Sequence, residues 1–418
     1  MSKGGASRAV GDDSSRSPWH TEQWYVSPWN YEASVIEGLE FPENIKVHDI
    51  TLRDGEQQAG IAFTKDEKIQ IAEKLAEAGV HRIEAGMPAV SPDDAAAIKE
   101  IVKRDMGPEI FAFSRCMVED VKRAVDCGVP GVVMEIPCSE HILEHAYCWE
   151  LEKAIELSIS STQYAHEQGL YVVFFPIDAS RAKIDWYLDL IERVAAEGHM
   201  DALAVVDTFG VTSPHAIPYL LKETKRRINV PLETHFHNDF GMGVANTVLA
   251  LAAGAEVFHT SVLGIGERAG SPALEEIALA LLTMYDIDIG LNYHKLYELA
   301  RLVEHLSGQA VPTNKPVVGR QLFNVEAGII ASWVDNCDDE HMTEVFPFRW
   351  ELVGQNKPEI VLGKNSGKIS VEVWLERLGV AASPDEVDEI LVLVKDQAMR
   401  EKSLLTLKDF ELIVDRVV

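Results

Sequence analysis

Thr234-His235-Phe236-His237-Asn238-Asp239 is the segment of this chain best equipped for chemistry. Residues 232–236 read as a strand, and positions i and i+2 of a strand point to the same side. His235 and His237 therefore present two imidazoles toward one point. Two imidazoles and a carboxylate make a common site for a divalent metal with open coordination positions. Asp54, within Thr51-Leu52-Arg53-Asp54-Gly55-Glu56-Gln57, supplies the carboxylate from a second strand end. Arg53 beside it can clamp a substrate carboxylate or stabilise an enolate oxygen as charge develops.

These groups need a scaffold that gathers strand ends. Short β-rich runs recur at 46–52, 82–86, 110–114, 131–136, 171–177, 202–207, 232–236 and 256–263. Between them lie stretches with apolar positions near a 3.6-residue period: 65–79, 92–104, 117–127, 150–169, 183–197, 214–227 and 243–254. Several end at glycine, as helices do: Gly79, Gly128, Gly169 and Gly254. Eight evenly spaced strand–helix units predict an α/β fold, a (β/α)8 TIM barrel rather than a doubly wound open sheet. Such barrels carry reactive groups at the C-terminal ends of their strands. Glu84, Ser114-Arg115, Glu135, Asp178 and Asp207-Thr208 join the histidines there. The barrel is expected over residues 45–307, the stretch 276–307 being helical. A linker and helical C-terminal subdomain is expected over 308–418, with helices in 371–379 and 384–418. Residues 1–44 form an N-terminal extension, disordered over 1–18. Trp19, Trp24, Tyr25, Trp29 and Tyr31 then make an aromatic arm that packs on the body or on a second subunit.

Composition narrows the partners. Lys plus Arg number 38 against 67 Asp plus Glu, a formal charge of −29, which repels nucleic acid and anionic membrane surfaces. No apolar run approaches the roughly 18–20 residues of a membrane helix. Five cysteines, an odd number without CxxC spacing, fit reduced thiols in a cytoplasmic protein. Gly264-Ile265-Gly266-Glu267-Arg268-Ala269-Gly270 has GxGxxxG spacing after the eighth strand, which excludes a dinucleotide fingerprint and suggests a mobile loop over the site. Gly363-Lys364-Asn365-Ser366-Gly367-Lys368 fails as a P-loop because its glycines are too close together.

Together the Thr51–Gln57 motif, the His235–Asp239 segment with Gly241 and Ala245-Asn246, and Gly264–Gly270 resemble the DRE-TIM metallolyase superfamily. More narrowly they resemble its Claisen-condensing branch, the isopropylmalate, homocitrate and citramalate synthases. Leu362–Gly367 and the helices after it resemble that branch's linker subdomain. The resemblance covers roughly residues 45–418, and the chain stops where isopropylmalate synthases continue into a regulatory domain, so feedback through that module is not expected. It implies a metal-dependent acyltransferase that condenses an acyl-CoA, acetyl-CoA first, with a 2-oxo acid to give a 2-alkylmalate or homocitrate-type product. The implied ligands of the divalent metal (Mg, Mn or Zn) are Asp54, His235 and His237. The resemblance implies that Arg53 stabilises the oxo-acid oxygens and Thr208 holds the substrate carboxylate; Gln57 and Glu84 are expected to join them as substrate-binding residues, and Glu326 to join Arg53 and Thr208 as a candidate catalytic residue. A homodimer or higher homo-oligomer is also implied. The alternative activity is a metal-dependent carbon–carbon lyase or aldolase acting on a 2-hydroxy acid or hydroxyacyl thioester. A hydroxymethylglutaryl-CoA lyase proper would carry a reactive Cys in the Gly-rich loop, where this chain has Glu267-Arg268.

The sequence departs from the branch at three positions. Family synthases carry a Glu where this chain has Ile177, and a His, arriving from a neighbouring subunit, where it has Ile330. Those two groups act together in removing the acetyl proton. Glu326, Glu135, His141 and His145 are the candidates to replace them. Ser271 stands where the family often has Asn near the metal.

Overall fold

The computed structural model describes residues 17–418. The expected disorder of 1–18 therefore lies almost wholly outside the described residues. Eight parallel strands close into a barrel in sequence order, with β1 paired to β8. They are β1 Lys46–Asp49, β2 Arg82–Glu84, β3 Glu109–Arg115, β4 Gly131–Pro137, β5 Tyr171–Ile177, β6 Ala202–Asp207, β7 Leu232–Phe236 and β8 Val257–Thr260. Closure removes the sheet edges that an open doubly wound sheet would have.

Eight helices alternate with the strands: α1 Lys65–Glu77, α2 Pro92–Arg104, α3 Val118–Cys127, α4 Leu151–Glu167, α5 Ile184–Glu197, α6 Ile217–Arg227, α7 Gly243–Ala252 and α8 Leu274–Tyr285. Their starts follow local chemistry. Thr64 and Glu67 form a reciprocal capping box at α1, and Ser91 accepts from the Asp94 amide ahead of Pro92 at α2. The helical stretch expected over 276–307 is two elements, because α8 ends at Asp286 in a left-handed conformation (φ 53°) before α9 Leu296–Ser307 begins. Apolar faces of these helices and the outward side chains of the strands make the main core, which includes Ile71, Leu75, Ile98 and Leu251.

Beyond α9 the chain builds two smaller cores. Strands β9 Asn324–Val325 and β10 Glu359–Ile360 pair in parallel beside α10 Gly328–Asn336, around Phe323, Phe346 and Trp350. Helices α11 Lys368–Leu378, α12 Pro384–Glu401 and α13 Leu407–Val417 enclose the other, around Trp374, Ile390 and Phe410. The aromatic arm packs on this same chain. Trp24 is buried and bridges to Phe348, and the Tyr31 hydroxyl donates to the Thr283 carbonyl at 2.7 Å; Trp29 stays exposed. No helix among the described residues is long and apolar enough to cross a membrane, and none of the five cysteines is disulfide-bonded.

Candidate active site

Strand alternation decides which side chains enter the barrel. On β3, β4, β5 and β6 the inward residues Phe111, Phe113, Val133, Val173, Phe175 and Val206 form a separate apolar cluster. On β1, β2, β7 and β8 the inward residues are His48, Arg82, Glu84, Glu233, His235 and His259, all buried. Above this second group lie Asp54 and His237. The ligating atoms of Asp54, His235 and His237 fall within 4.8 Å of one another, and His237 Nε2 stands 3.9 Å from Asp54 Oδ1.

The surroundings are built to hold that geometry. Ser271 donates to Asp54 Oδ2 at 2.8 Å, so the residue standing for the family's Asn braces the Asp54 carboxylate. A Cβ on Gly266 would lie 2.5 Å from the same oxygen, which only glycine avoids. The Gly-rich loop is pinned rather than loose. Arg268 forks onto Asp239 at 2.9 and 3.0 Å, Ser271 N donates to the Gly264 carbonyl, and Asn238 N donates to the Gly270 carbonyl. In this conformation these bonds fasten the loop to the end of β7.

Burial, then His237 and Arg53, push the His235 imidazole well below its usual pKa, which leaves a neutral ring with a lone pair for a cation. The buried Nδ1 of His237 has no hydrogen-bond partner among the described residues. Two buried imidazoles and a braced carboxylate, all withdrawn from water, fit a divalent ion.

Arg53 sits at the border of the two halves. Its guanidinium lies 3.9 Å over the Phe113 ring, Nη1 donates to Gln57 Oε1 at 3.1 Å, and Nε pairs with Glu84 in a very short contact. Nη2 is buried and has no hydrogen-bond partner among the described residues. Glu84 is fully buried behind Arg53. Burial alone would raise its pKa, but Arg53 and His48 hold it down to about 2. Sequence reasoning placed Glu84 against substrate; its geometry makes it the anchor of Arg53.

The other expected residues divide. The Asp178 amide donates to Thr208 Oγ1 at 2.7 Å, leaving the Thr208 hydroxyl proton to be donated elsewhere. Gln57 lies exposed at the mouth, tied to Arg53. Glu326 is not part of this cluster. Its Oε1 accepts from the Asn365 amide at 2.8 Å and lines a groove of about 730 Å³ between β9 and α12. Among the described residues it makes no hydrogen bond or ion pair with a barrel side chain. Asp207 and Asn238 serve the backbone, accepting from Val211, Thr212 and Gly243 amides.

Of the candidates for proton abstraction, His145 is largely exposed beside Glu144, and His141 Nε2 lies 3.2 Å from Asp178, whose carboxylate also takes both donors of Arg181. Glu135 is on β4 in register with Arg115 and Phe175, on the inward face two residues beyond Val133. Its carboxylate makes no hydrogen bond or ion pair among the described residues. Burial raises its pKa, against the pull of Arg53 and Arg115.

The fold is a (β/α)8 barrel, and Asp54, His235 and His237 gather at the C-terminal end of its strands in an arrangement that could hold a metal ion. The HMGL-like family model matches residues 44–303. Homocitrate synthase AksA of Methanothermobacter thermautotrophicus is 40% identical over 380 residues, covering 91% of this chain and 94% of that protein. The 2-isopropylmalate synthase of Methanocaldococcus jannaschii is 37% identical over 92% of this chain and 74% of its own length. Among solved structures, the HMG-CoA lyase of Bacillus subtilis aligns with a TM-score of 0.59 at 22% identity, covering 66% of this chain and 97% of that one, a likeness of fold. The chain belongs to the HMGL-like family, in the Claisen-condensing branch of the DRE-TIM metallolyases.

Proposed function

We propose that this chain is an acyltransferase-type synthase that condenses an acyl-CoA, with acetyl-CoA the first to assay, with a 2-oxo acid. The observation that carries the reading is the unpartnered Arg53 Nη2 beside the buried Asp54, His235 and His237 set, in a chain about two-fifths identical to a homocitrate synthase over nearly its whole length. Asp54, His235 and His237 would hold a divalent ion (Mg, Mn and Zn are the ones to test), which would supply Lewis-acid polarisation of the oxo acid and help to orient it.

The residues then have distinct tasks. Arg53, locked by Glu84 and Phe113, donates through Nη2 to the oxo-acid oxygens and meets the negative charge that develops when the new bond forms. Thr208 donates its hydroxyl proton to the substrate carboxylate, its own oxygen lone pair being engaged by the Asp178 amide. Gln57 closes the mouth. With Ile177 and Ile330 in place of the family pair, the reading gives the removal of the acyl α-proton to Glu135. Its support is the inward position on β4, the carboxylate without a hydrogen bond or ion pair among the described residues, and a pKa that burial raises, the direction that strengthens a base. The proton passes to Glu135, the resulting enolate carbon attacks the oxo carbon, and water then cleaves the thioester to release CoA. The same reading takes the chain as a homodimer or higher homo-oligomer, with exposed Ile329 and Trp333 of α10 available for contact. Sedimentation of a monomer at micromolar concentration would remove that part.

The test is thiol release from acetyl-CoA against a panel of 2-oxo acids, with each metal in turn. Release dependent on one acceptor supports the synthase; no release with any acceptor sinks it. Glu135→Gln should lower turnover by roughly a hundredfold or more and abolish deuterium uptake into the acetyl methyl group. Retained exchange would remove Glu135 from the role.

A further inference from the structure

Behind the metal-site histidines lies a buried group that the reaction above does not use. The β7–β8 register pairs Glu233 with Val257 and Thr234 with Phe258, so the next position sets His235 against His259. Alternation turns Glu233, His235 and His259 into the barrel together. His259 Nε2 lies 2.8 Å from Glu233 Oε2, and His259 Nδ1 lies 3.3 Å from His235 Nδ1. The other oxygen of Glu233 accepts from Arg82 Nη1 at 2.7 Å. Arg82 in turn donates to Glu109 at 2.9 Å and stacks over Phe111 and Tyr171. His48 stacks on His259 with ring centroids 4.3 Å apart. All members but Glu109 and Tyr171 are buried.

Hydrogen positions along this row follow from which atoms can only accept. Glu233, fixed by Arg82, is a carboxylate and can only accept, so the ring proton of His259 sits on Nε2. With His259 as a neutral imidazole, its Nδ1 then carries a bare lone pair. The facing His235 Nδ1 must carry a hydrogen and donate it, which leaves the His235 Nε2 lone pair as the atom free to meet a cation. We propose that Arg82, Glu233 and His259 form a hydrogen-bond relay that sets the tautomer of His235 and aims its Nε2 into the metal site. Glu233 and His259 are positioning residues, acting only through His235. The inference rests on the reading of Asp54, His235 and His237 as metal ligands.

Glu233→Gln is the informative variant because it keeps shape and removes one property. Arg82 can only donate, so it captures the Gln carbonyl and turns the amide NH2 toward His259 Nε2. That nitrogen must then accept, His259 Nδ1 becomes the donor, and His235 is driven into the wrong tautomer. His259→Asn keeps an acceptor near the Nδ1 position, whereas His259→Leu keeps none.

The experiment titrates Mn²⁺ into metal-free protein, followed by the loss of free-ion EPR signal, for wild type and variants. Ring-nitrogen NMR of ¹⁵N-histidine-labelled metal-free protein reports the tautomer of His235. Glu233→Gln and His259→Leu should each weaken Mn²⁺ binding roughly ten- to hundredfold, with His259→Asn within a few-fold of wild type. The wild-type His235 should show Nδ1–H, and Glu233→Gln should show Nε2–H. Unchanged Mn²⁺ affinity and tautomer in Glu233→Gln overturn the relay. A second Mn²⁺ per chain that His259→Leu abolishes also overturns it, since His48, Glu233 and His259 would then hold an ion themselves. The underlying ligand reading fails separately: it is His237→Ala binding Mn²⁺ as tightly as wild type.

Discussion

The two halves of the barrel interior have opposite chemistry on one backbone plan. The half from β3 to β6 is lined by Phe111, Phe113, Val133, Val173, Phe175 and Val206, and closes at the top with the half-buried Ile177. The half formed by β7, β8, β1 and β2 holds Glu233, His235, His259, His48, Arg82 and Glu84 with almost no solvent contact. Apolar contacts are non-directional and tolerate repacking, so the first half can fit the shape of a substrate. Buried charges and imidazoles tolerate little, because each unpaired group costs its desolvation. Precision therefore belongs to the polar half and selectivity to the apolar half, with Arg53 spanning both by its contacts to Glu84 and Phe113.

The largest effect expected from breaking this division is His237→Ala. It removes a proposed metal ligand from the polar half, and turnover should fall by roughly a thousandfold or more, the scale of several kcal/mol of lost charge stabilisation. Mn²⁺ binding, followed by calorimetry, should be lost with it. Full turnover in that variant would mean the polar half is structural and the chemistry lies elsewhere.

Glu84→Gln tests the border at smaller scale. The Arg53 guanidinium would lose one of its two buried anionic partners while keeping Asp54 at 3.3 Å and the stack on Phe113. A misplacement of about 1 Å can cost on the order of a hundredfold, so kcat/KM for the 2-oxo acid should fall by roughly ten- to a hundredfold. Mn²⁺ affinity should stay near wild type, because Glu84 touches none of the three proposed ligands. If Mn²⁺ affinity collapses instead, Glu84 serves the metal and the border is drawn in the wrong place.

Ile177→Ala probes the apolar half alone. Removing methyl groups from a substrate-facing wall should shift the preference among 2-oxo acids toward longer side chains by about tenfold or somewhat more. Competition assays with paired acceptors read that ratio directly. An unchanged ratio, with kcat lowered for all acceptors equally, would assign Ile177 to packing and move the specificity wall to Phe175 or Met87.

How far the sequence discloses these halves depends on the range of the forces involved. Strands 171–177, 202–207 and 232–236 are legible to the residue, since alternation and β-branched composition are local. The first strand is overrun by three residues because Ile50–Leu52 look β-rich. In fact Ile50 closes a turn whose carbonyl accepts from the Arg53 and Gly55 amides. That turn is what carries Asp54 over the barrel mouth. His235 and His237 are visible from i, i+2 spacing, and Asp54 from its motif. Glu84 is visible as a polar strand residue, but its burial under Arg53 is tertiary. Glu326 attracts notice through the motif around it, yet its carboxylate serves the Asn365 amide. His259 and Glu233 could have been suspected from polar residues at inward positions of neighbouring strands, but only the β7–β8 register brings them together.

The smallest effect concerns stability behind the polar half. Glu275, at the start of α8, is fully buried and accepts from the Leu263 amide at 3.1 Å; its nearest cation, Lys315, is 3.9 Å away. Burial, only partly offset by Lys315, pushes its pKa up to about 7 from an ordinary 4.5. Asp49 on β1, buried in the same region, is likewise raised to about 7 by burial, against the hydrogen bonds from Thr51. For an acid whose folded pKa exceeds its unfolded one, the folded state binds more protons between the two values. The stabilisation is complete below about pH 4.5 and is lost as pH rises through 7. Wild-type melting temperature should therefore fall between about pH 4.5 and pH 7 and level off above that range. Glu275→Gln removes one of the two titrations, so its melting curve should decline less and lie a few degrees above wild type at the alkaline end. Parallel declines in the two proteins would mean that Glu275 is ionised in the fold throughout, with Lys315 drawn in as its partner.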